Sequence, residues 1–319
     1  MGKNLANGRR VMRGMALLIY CLLPITAFAS PFIYLTNSDD GTVSVVDMAN
    51  DKVVDPPIAV GDGPFGIALN QAGTRLYVSN LRSGTVSVID TSTNTGTGVQ
   101  IRVGNEPSGI AVDRKDGKIY VANYGADSVT VIDPVTNQVT GSPIAVERNP
   151  YGVALNPSGT RLYVSNQGSN SVSVVDTTTR KVMESIPVGN LPQGILVAPG
   201  GNTAYVVNAG SNTVLAIDTR TNKIVGEQVT VGVGPAAIAT NLEGTRLYVA
   251  NYTSDDVSVI DMANNRVIES SILVGHNPYA IMVNSAGTLV YVANKGSRTV
   301  SVIDVAACKV VETIPYGRK

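Results

Sequence analysis

One short pattern recurs seven times along the chain at a nearly constant interval. A tyrosine followed by Val or Leu, any residue and Asn recurs every 42 or 43 residues, at Tyr34, Tyr77, Tyr120, Tyr163, Tyr205, Tyr248 and Tyr291. An Asp follows each tyrosine by thirteen residues, at Asp47, Asp90, Asp133, Asp176, Asp218, Asp261 and Asp304. A Pro stands thirteen residues before each tyrosine except the first, at Pro64, Pro107, Pro150, Pro192, Pro235 and Pro278. Three markers with one period indicate a repeat architecture.

Each unit is typical of four short strands divided by turn residues. In the second unit, alternating or apolar segments lie at 66–69, 76–79, 86–89 and 100–103, with Gly and Ser between them. Gly73 and its equivalents supply the positive φ that a tight hairpin needs. Four antiparallel strands in about 43 residues form the blade of a β-propeller, where neighbouring blades hide most sheet edges. The sequence therefore predicts an all-β, seven-bladed β-propeller of four-stranded antiparallel blades.

The residues of the repeat also resemble those of a known family. Residues 77–80 read Tyr-Val-Ser-Asn and residues 248–251 read Tyr-Val-Ala-Asn, each with a Pro-led strand before and a Val-Ser-Val-Ile-Asp strand after. This pattern resembles the YVTN-type β-propeller repeat of exported or cell-surface bacterial and archaeal proteins, over residues 32–317. The resemblance implies the fold and an exported location. It implies no single function, because propellers host many.

The first unit is one strand short. By similarity to WD-type propellers the Pro-led strand is the innermost of its blade, and no such strand precedes Tyr34 after residue 29. The sequence given ends at Lys319, where a further Pro-led strand would begin. We therefore expect the first blade to lack its inner strand. Three interpretations stay open: a three-stranded blade, a strand supplied by residues 24–31, or a strand donated by another chain.

The first 29 residues differ from the repeats in composition. They carry four basic residues and no acidic one, followed by an uncharged stretch at 15–28 and by Ala-Phe-Ala at 27–29, directly before Ser30. This order is typical of a signal peptide, and the stretch is too short to span a bilayer comfortably. We predict a signal peptide at 1–29, a single propeller domain at 30–319, and no transmembrane segment after cleavage. The predicted location is the periplasm, the medium or the cell surface.

The comparison of repeats separates scaffold residues from candidate site residues. A residue present in every blade is expected to serve the blade, whereas residues that vary from blade to blade on one face can serve a ligand. In propellers the loops before the inner strands and the turns after the second strands share one face, which we call the loop face. The candidates on it are Phe65, Arg82, Glu106, Tyr124, Arg148, Tyr151, Tyr252, His276 and Tyr279.

The composition gives catalysis little support. His276 is the only histidine and the chain has no Trp, so a metal site built on several histidines and a quinone on an indole platform are both excluded. There is no Cys-X-X-Cys-His for covalent haem, and we predict no cofactor and no metal ligands. We predict a monomeric, non-enzymatic scaffold whose loop face binds an envelope protein, a polymer or a small polar ligand.

Two other functions are kept as alternatives. A lactonase-like or divalent-cation-dependent hydrolase or lyase would need only one His, with Glu106 or a few Asn and Asp around a cation. Binding of single-stranded nucleic acid would use stacking on Tyr and Phe beside a basic groove. Nucleic acid is disfavoured, because the residues after position 29 carry 20 basic against 24 acidic side chains and no basic run.

Overall fold

The structure, a computed structural model, describes residues 18–20, 32–48, 50 and 52–316. Within these ranges every regular element is a β-strand, apart from one 3-10 turn at Tyr124–Ala126. The strands form seven antiparallel sheets, one for each repeat. The predicted all-β, seven-bladed propeller is confirmed. No helix in the described part of the chain has the length and apolar character needed to cross a membrane.

From the axis outward, a blade has an inner, a second, a third and an outer strand. The inner strands are β1 (Leu18–Tyr20), β5 (Pro64–Leu69), β9 (Pro107–Val112), β14 (Pro150–Leu155), β18 (Pro192–Val197), β22 (Pro235–Thr240) and β26 (Pro278–Val283). The second strands are β2 (Phe32–Asn37), β6 (Arg75–Asn80), β10 (Ile119–Asn123), β15 (Arg161–Asn166), β19 (Thr203–Asn208), β23 (Arg246–Asn251) and β27 (Leu289–Asn294).

The repeated Asp ends the third strand of each blade, and the outer strands follow it. The third strands are β3 (Thr42–Asp47), β7 (Thr85–Asp90), β11 (Ser128–Asp133), β16 (Ser171–Asp176), β20 (Thr213–Asp218), β24 (Asp256–Asp261) and β28 (Thr299–Asp304). The outer strands are β4 (Lys52–Ala59), β8 (Thr95–Arg102), the two pieces β12 (Gln138–Val139) and β13 (Ile144–Ala145), β17 (Lys181–Pro187), β21 (Lys223–Thr230), β25 (Arg266–Leu273) and β29 (Lys309–Pro315).

The first blade has three strands from Phe32 onward, as the sequence predicts. The short strand β1 pairs with the remaining edge of β2, with Leu18 opposite Leu35 and Tyr20 opposite Ile33. This is the register of the complete blades, in which Ile67 pairs with Val78. Apart from β1, the predicted signal peptide lies outside the described residues, and so do residues 24–31, which are one predicted source of the missing strand. The signal peptide therefore stays a prediction.

The repeated tyrosine fills the space between two blades. Tyr163 is fully buried and packs against Val174 of its own blade and Ile217 of the next. Its hydroxyl donates to the Thr219 carbonyl of that next blade, at 3.5 Å. Each such ring therefore stabilises an interface between neighbouring sheets, which explains why the period is kept so strictly.

The repeated Asn and Asp hold the turns at opposite ends of the third strand. Asn166 is fully buried, and its amide Nδ2 donates to Ser171 Oγ at 3.0 Å and Ser173 Oγ at 2.8 Å. Asp133 Oδ1 accepts hydrogen bonds from the backbone N–H groups of Val135 at 2.8 Å and Thr136 at 3.0 Å. These contacts give both residue types a structural role, as Asx side chains commonly have in turns.

The turn aspartates make the fold sensitive to acid. Backbone hydrogen bonds hold the pKa of Asp133 and Asp218 below the ordinary value, despite partial desolvation. A carboxylate with a lowered folded-state pKa stabilises the fold above the unfolded pKa of about 3.9, and this stability is lost as the pH falls through the folded value. We expect an unchanged melting temperature from neutral pH to about 5 and a fall below about 4.

Circular dichroism melts between pH 7 and pH 2.5 check this expectation. The combined D133N and D218N substitutions should reduce the acid-induced loss, because an amide still accepts the turn hydrogen bonds but does not titrate. A melting temperature that stays constant down to pH 2.5 would contradict the stabilising role of these carboxylates.

Candidate functional site

The two loop sets that sequence analysis placed on one face do contact each other. In each of four blades, a backbone N–H in the turn after the second strand donates to a carbonyl in the loop before the inner strand. The pairs are Arg82 with Asp62 at 3.1 Å, Gly125 with Asn105 at 3.1 Å, Gly168 with Arg148 at 3.0 Å and Gly296 with His276 at 2.8 Å. The loop face is therefore a continuous surface built from both sets.

A second contact links each of four blades to the next. The last residue of the turn has a positive φ, and its side chain accepts the N–H of the residue before the next proline. The bonds are Asn149 N to Asp127 at 2.8 Å, Leu191 N to Asn170 at 2.9 Å, Gly234 N to Asn212 at 2.9 Å and Asn277 N to Asp255 at 2.7 Å. Asn and Asp suit this position, because they tolerate left-handed backbone and accept a local N–H.

Asp255 uses its second carboxylate oxygen for a contact with the histidine, in which it can accept a hydrogen bond from the ring. Its Oδ2 lies 2.8 Å from Nδ1 of His276, while its Oδ1 holds the Asn277 N–H. The imidazole is 78% exposed, and no group in the described residues hydrogen-bonds its Nε2. A carboxylate on Nδ1 favours the tautomer with the proton there, which leaves Nε2 as a proton acceptor.

The electrostatics around this pair keep the carboxylate charged. Burial opposes ionisation of Asp255, but the hydrogen bonds from His276 and from the Asn277 N–H outweigh it and leave its pKa below the ordinary value. Lys295 lies on the neighbouring turn, where its N–H donates to the Asn277 carbonyl at 3.0 Å. Burial lowers the pKa of Lys295, and the nearby carboxylate of Asp39 acts in the opposite direction.

Three predicted candidates lie at the centre of the loop face but are buried. Phe65, Tyr151 and Tyr279 come from the second, fourth and seventh blades, and each is at most 5% exposed. The Phe65 ring meets those of Tyr151 and Tyr279 edge to face, with centroids 5.5 and 6.0 Å apart. These three rings meet on the propeller axis and close the channel at this end; we call them the aromatic plug.

The hydroxyls of the plug are buried with the rings. The Tyr151 and Tyr279 hydroxyls hydrogen-bond to each other across the axis. Burial raises the pKa of Tyr151 and Tyr279 well above the ordinary value, so both remain neutral. Tyr252 is half-buried against the plug, with its ring 6.2 Å from that of Tyr279. Burial and the Asp255 carboxylate both raise the pKa of Tyr252. Its backbone carbonyl accepts a hydrogen bond from Asn277 Nδ2 at 3.1 Å, which links Tyr252 to the His276 loop.

The remaining predicted candidates are spread around the loop face. Arg82 pairs with Asp62 at 2.8 Å and donates to the Ser38 carbonyl at 2.5 Å. The half-buried Tyr124 donates to Gln167 Oε1 at 3.1 Å. Exposed Glu106 and Arg148 both lie in loops before inner strands. Of the nine candidates, the structure brings together Phe65, Tyr151 and Tyr279, with Tyr124 and Tyr252 packed beside them, and places the His276 loop next to Tyr252.

Sequence analysis did not predict the pairing of Asp255 with His276. A signal for it exists: an Asp or Asn stands 21 or 22 residues before the residue that precedes proline in four successive blades, and in one of them His276 stands beside that residue. No three His, Cys, Asp or Glu side chains lie together as metal ligands in the described ranges. No step below uses a metal.

The comparisons with known proteins agree with this architecture. The solved hydrazine synthase of Kuenenia stuttgartiensis matches with a TM-score of 0.78 and 23% identity, over 86% of this chain and 92% of that one. A functionally unknown protein from Desulfotomaculum acetoxidans DSM 771 matches with a TM-score of 0.75 and 16% identity, over 89% of this chain and 95% of that one. The chain is a β-propeller protein. At these identities the solved structures show the fold of the propeller alone.

Two family models match parts of the propeller. The SMP-30/gluconolactonase/LRE-like region matches residues 35–168, and the seven-bladed β-propeller lactonase family matches residues 176–277. No curated protein matches. The prediction of a non-enzymatic scaffold is wrong, because both matched families are named for lactonases, and these matches favour the lactonase-like alternative. The composition argument failed since a single histidine held by one carboxylate is enough for general-base chemistry.

Proposed function

We propose that the propeller is a lactonase-like hydrolase that opens a lactone ring by attack of water at the loop face. The observation that carries this proposal is the 2.8 Å contact between His276 Nδ1 and Asp255 Oδ2, with Nε2 facing solvent. The two lactonase family matches support the same reaction class. The second matched range, 176–277, includes both residues of the pair.

In the proposed reaction His276 is the general base. Its Nε2 takes a proton from a water molecule as the water oxygen bonds to the lactone carbonyl carbon. Asp255 stabilises the imidazolium that forms and keeps the ring oriented, without itself taking the proton. The tetrahedral intermediate then breaks the ring C–O bond, and the imidazolium returns the proton to the leaving alkoxide. The product is the open-chain hydroxy acid.

Two neighbouring side chains suit the rest of the substrate. Tyr252 offers an aromatic face beside the pair for the apolar side of a lactone ring. Lys295 lies on the turn whose backbone N–H donates to the Asn277 carbonyl, and we propose that its ammonium group offsets negative charge on the carbonyl oxygen in the transition state. The proposed site therefore lies between the sixth and seventh blades, to one side of the aromatic plug.

The direct test is an assay of ring opening. The full chain is incubated with aliphatic γ- and δ-lactones and with gluconolactone, and acid release is followed by titration at constant pH. We expect hydrolysis of at least one lactone above the uncatalysed rate, with saturation in substrate. Rates equal to the blank for every lactone, in protein that melts cooperatively, would refute the proposal.

The positioning role of Asp255 gives a second prediction with a matched control. In D255N an amide N–H would face Nδ1, so the imidazole proton moves to Nε2 and the base is lost. We expect kcat to fall by about 10² to 10⁴. D127N changes the same position three blades earlier and should leave kcat within about twofold. Both variants should fold, because Asn170 and Asn212 already make this contact.

The split between kcat and KM separates positioning from simple structural damage. D255N should lose most of its kcat with little change in KM, because in the proposed mechanism the carboxylate orients the base and does not contact the lactone. Equal losses in D255N and D127N would show that the carboxylates only hold the loops.

Two further predictions from the sequence, the type of repeat and the location of the protein, also belong to this proposal. We propose that the repeats are of the YVTN type and that the enzyme acts outside the cytoplasm. Support for both comes from the Tyr-Val-X-Asn repeats and from the basic and then apolar order of residues 1–29. Mass measurement of the N-terminus of the protein recovered from its native host would test the second point.

A further inference from the structure

A cavity of about 270 Å³ lies on the propeller axis directly below the aromatic plug. Its wall is a ring of β-branched side chains, each three residues after the proline of an inner strand. The ring consists of Ile67, Ile110, Val153, Ile195, Ile238 and Ile281. Gly109, Gly152 and Gly194 lie at the preceding position and leave the centre open. The repeat thus forms a layered channel whose width is set by small residues.

The cavity has almost no polar side-chain atoms. No charged side chain lines it in the described residues, and its only hydroxyls are those of Tyr151 and Tyr279, which hydrogen-bond to each other. Other polar atoms come from the edges of the inner strands, each of which is the last strand of its sheet. A desolvated ion would find no partner of opposite charge here, whereas a neutral molecule meets no such cost.

Access to the cavity is one-sided. The proline ends of β14, β18 and β22 are buried at the loop face, where the aromatic plug closes the axis. The opposite ends of the same strands, such as Val153–Leu155 and Ile195–Val197, are partly exposed. The channel therefore opens on the face opposite His276.

We propose that this axial channel binds a small, neutral, largely apolar molecule that enters from the face opposite His276. An apolar cavity of about 150 Å³ is known to hold benzene, so this volume fits a molecule of roughly ten non-hydrogen atoms. Away from the strand edges, such a space offers water few of the two to four polar partners that it needs. The channel is separate from the proposed lactonase site, so either of the two proposals can be refuted without the other.

The test compares 1-octanol with octanoate, which share a chain length and differ in charge. Isothermal titration of the full chain should show one saturable site for 1-octanol, and octanoate should bind at least tenfold more weakly. H276Q should bind 1-octanol as the wild type does, whatever its effect on lactones. Equal binding of both probes, or no saturable binding of 1-octanol, would overturn the proposal.

A channel-filling variant locates the site. In I195W the larger ring extends into the open channel, and the affinity for 1-octanol should fall at least tenfold. V135W places the same ring on a turn residue that is 86% exposed and should leave binding unchanged. If I195W does not fold, V153F on the neighbouring inner strand replaces it. If the folded variant still binds 1-octanol with wild-type affinity, the probe binds outside the channel and the proposal is overturned.

Discussion

Replacing His276 by glutamine is expected to lower kcat for lactone opening by about two to four orders of magnitude. The amide cannot take a proton from the attacking water, while it can still donate to the Asp255 carboxylate. Because the imidazole is 78% exposed, the melting temperature should hardly change, as expected for a surface substitution worth about 0.5 kcal/mol or less. Initial rates at saturating substrate, with thermal melts of the same samples, measure both effects.

The matched control is R148Q. Arg148 occupies the corresponding loop position in the fourth blade, two residues before the proline, and it is also exposed. We expect R148Q to keep wild-type kcat, whereas H276Q loses most of it. Wild-type turnover in H276Q would remove the histidine from the mechanism and with it the proposed site.

Replacing Tyr163 by alanine should have the largest effect on stability. The ring is fully buried between two blades, and deletion of a buried aromatic side chain costs about 3 to 5 kcal/mol through lost burial and the cavity left behind. For a chain of this size we expect the melting temperature to fall by the order of 10 °C. Urea unfolding followed by circular dichroism gives the free energy directly.

The control for this substitution keeps the ring. Y163F removes only the hydroxyl, which makes the long hydrogen bond to the Thr219 carbonyl and also interacts with Arg161, so it should cost about 1 kcal/mol. A loss in Y163F as large as in Y163A would mean that the hydroxyl, and not ring packing, stabilises the interface between these blades.

The sequence predicted the features that repeat. Tyr163, Asn166 and Asp133 each belong to a set with one period, and a periodic residue reports the local environment that all blades share. The features that do not repeat were harder to predict. Tyr151 and Tyr279 touch across the axis although they are 128 residues apart. They share one position of the repeat, but the residue type at that position varies from blade to blade. Their positions after proline suggested an exposed rim, whereas convergence of the blades buries them.

The proposed active site combines a feature that repeats with one that does not. Asp255 shares the loop contact of Asp127, Asn170 and Asn212, so its position is periodic and its backbone contact follows from the repeat. The side chain of His276 distinguishes this blade from the other three. The proposed function thus depends on one departure from a pattern, which composition alone cannot evaluate because a single histidine has the same count wherever it lies.

The aromatic plug also affects how the propeller unfolds. In linear repeat proteins each unit contacts only its neighbours, so units can melt one after another from an end. Phe65, Tyr151 and Tyr279 join the second, fourth and seventh blades directly, and loss of any one of these blades would expose the rings of the others. The blades are therefore coupled through the centre as well as around the circumference, and the propeller should unfold in one cooperative transition.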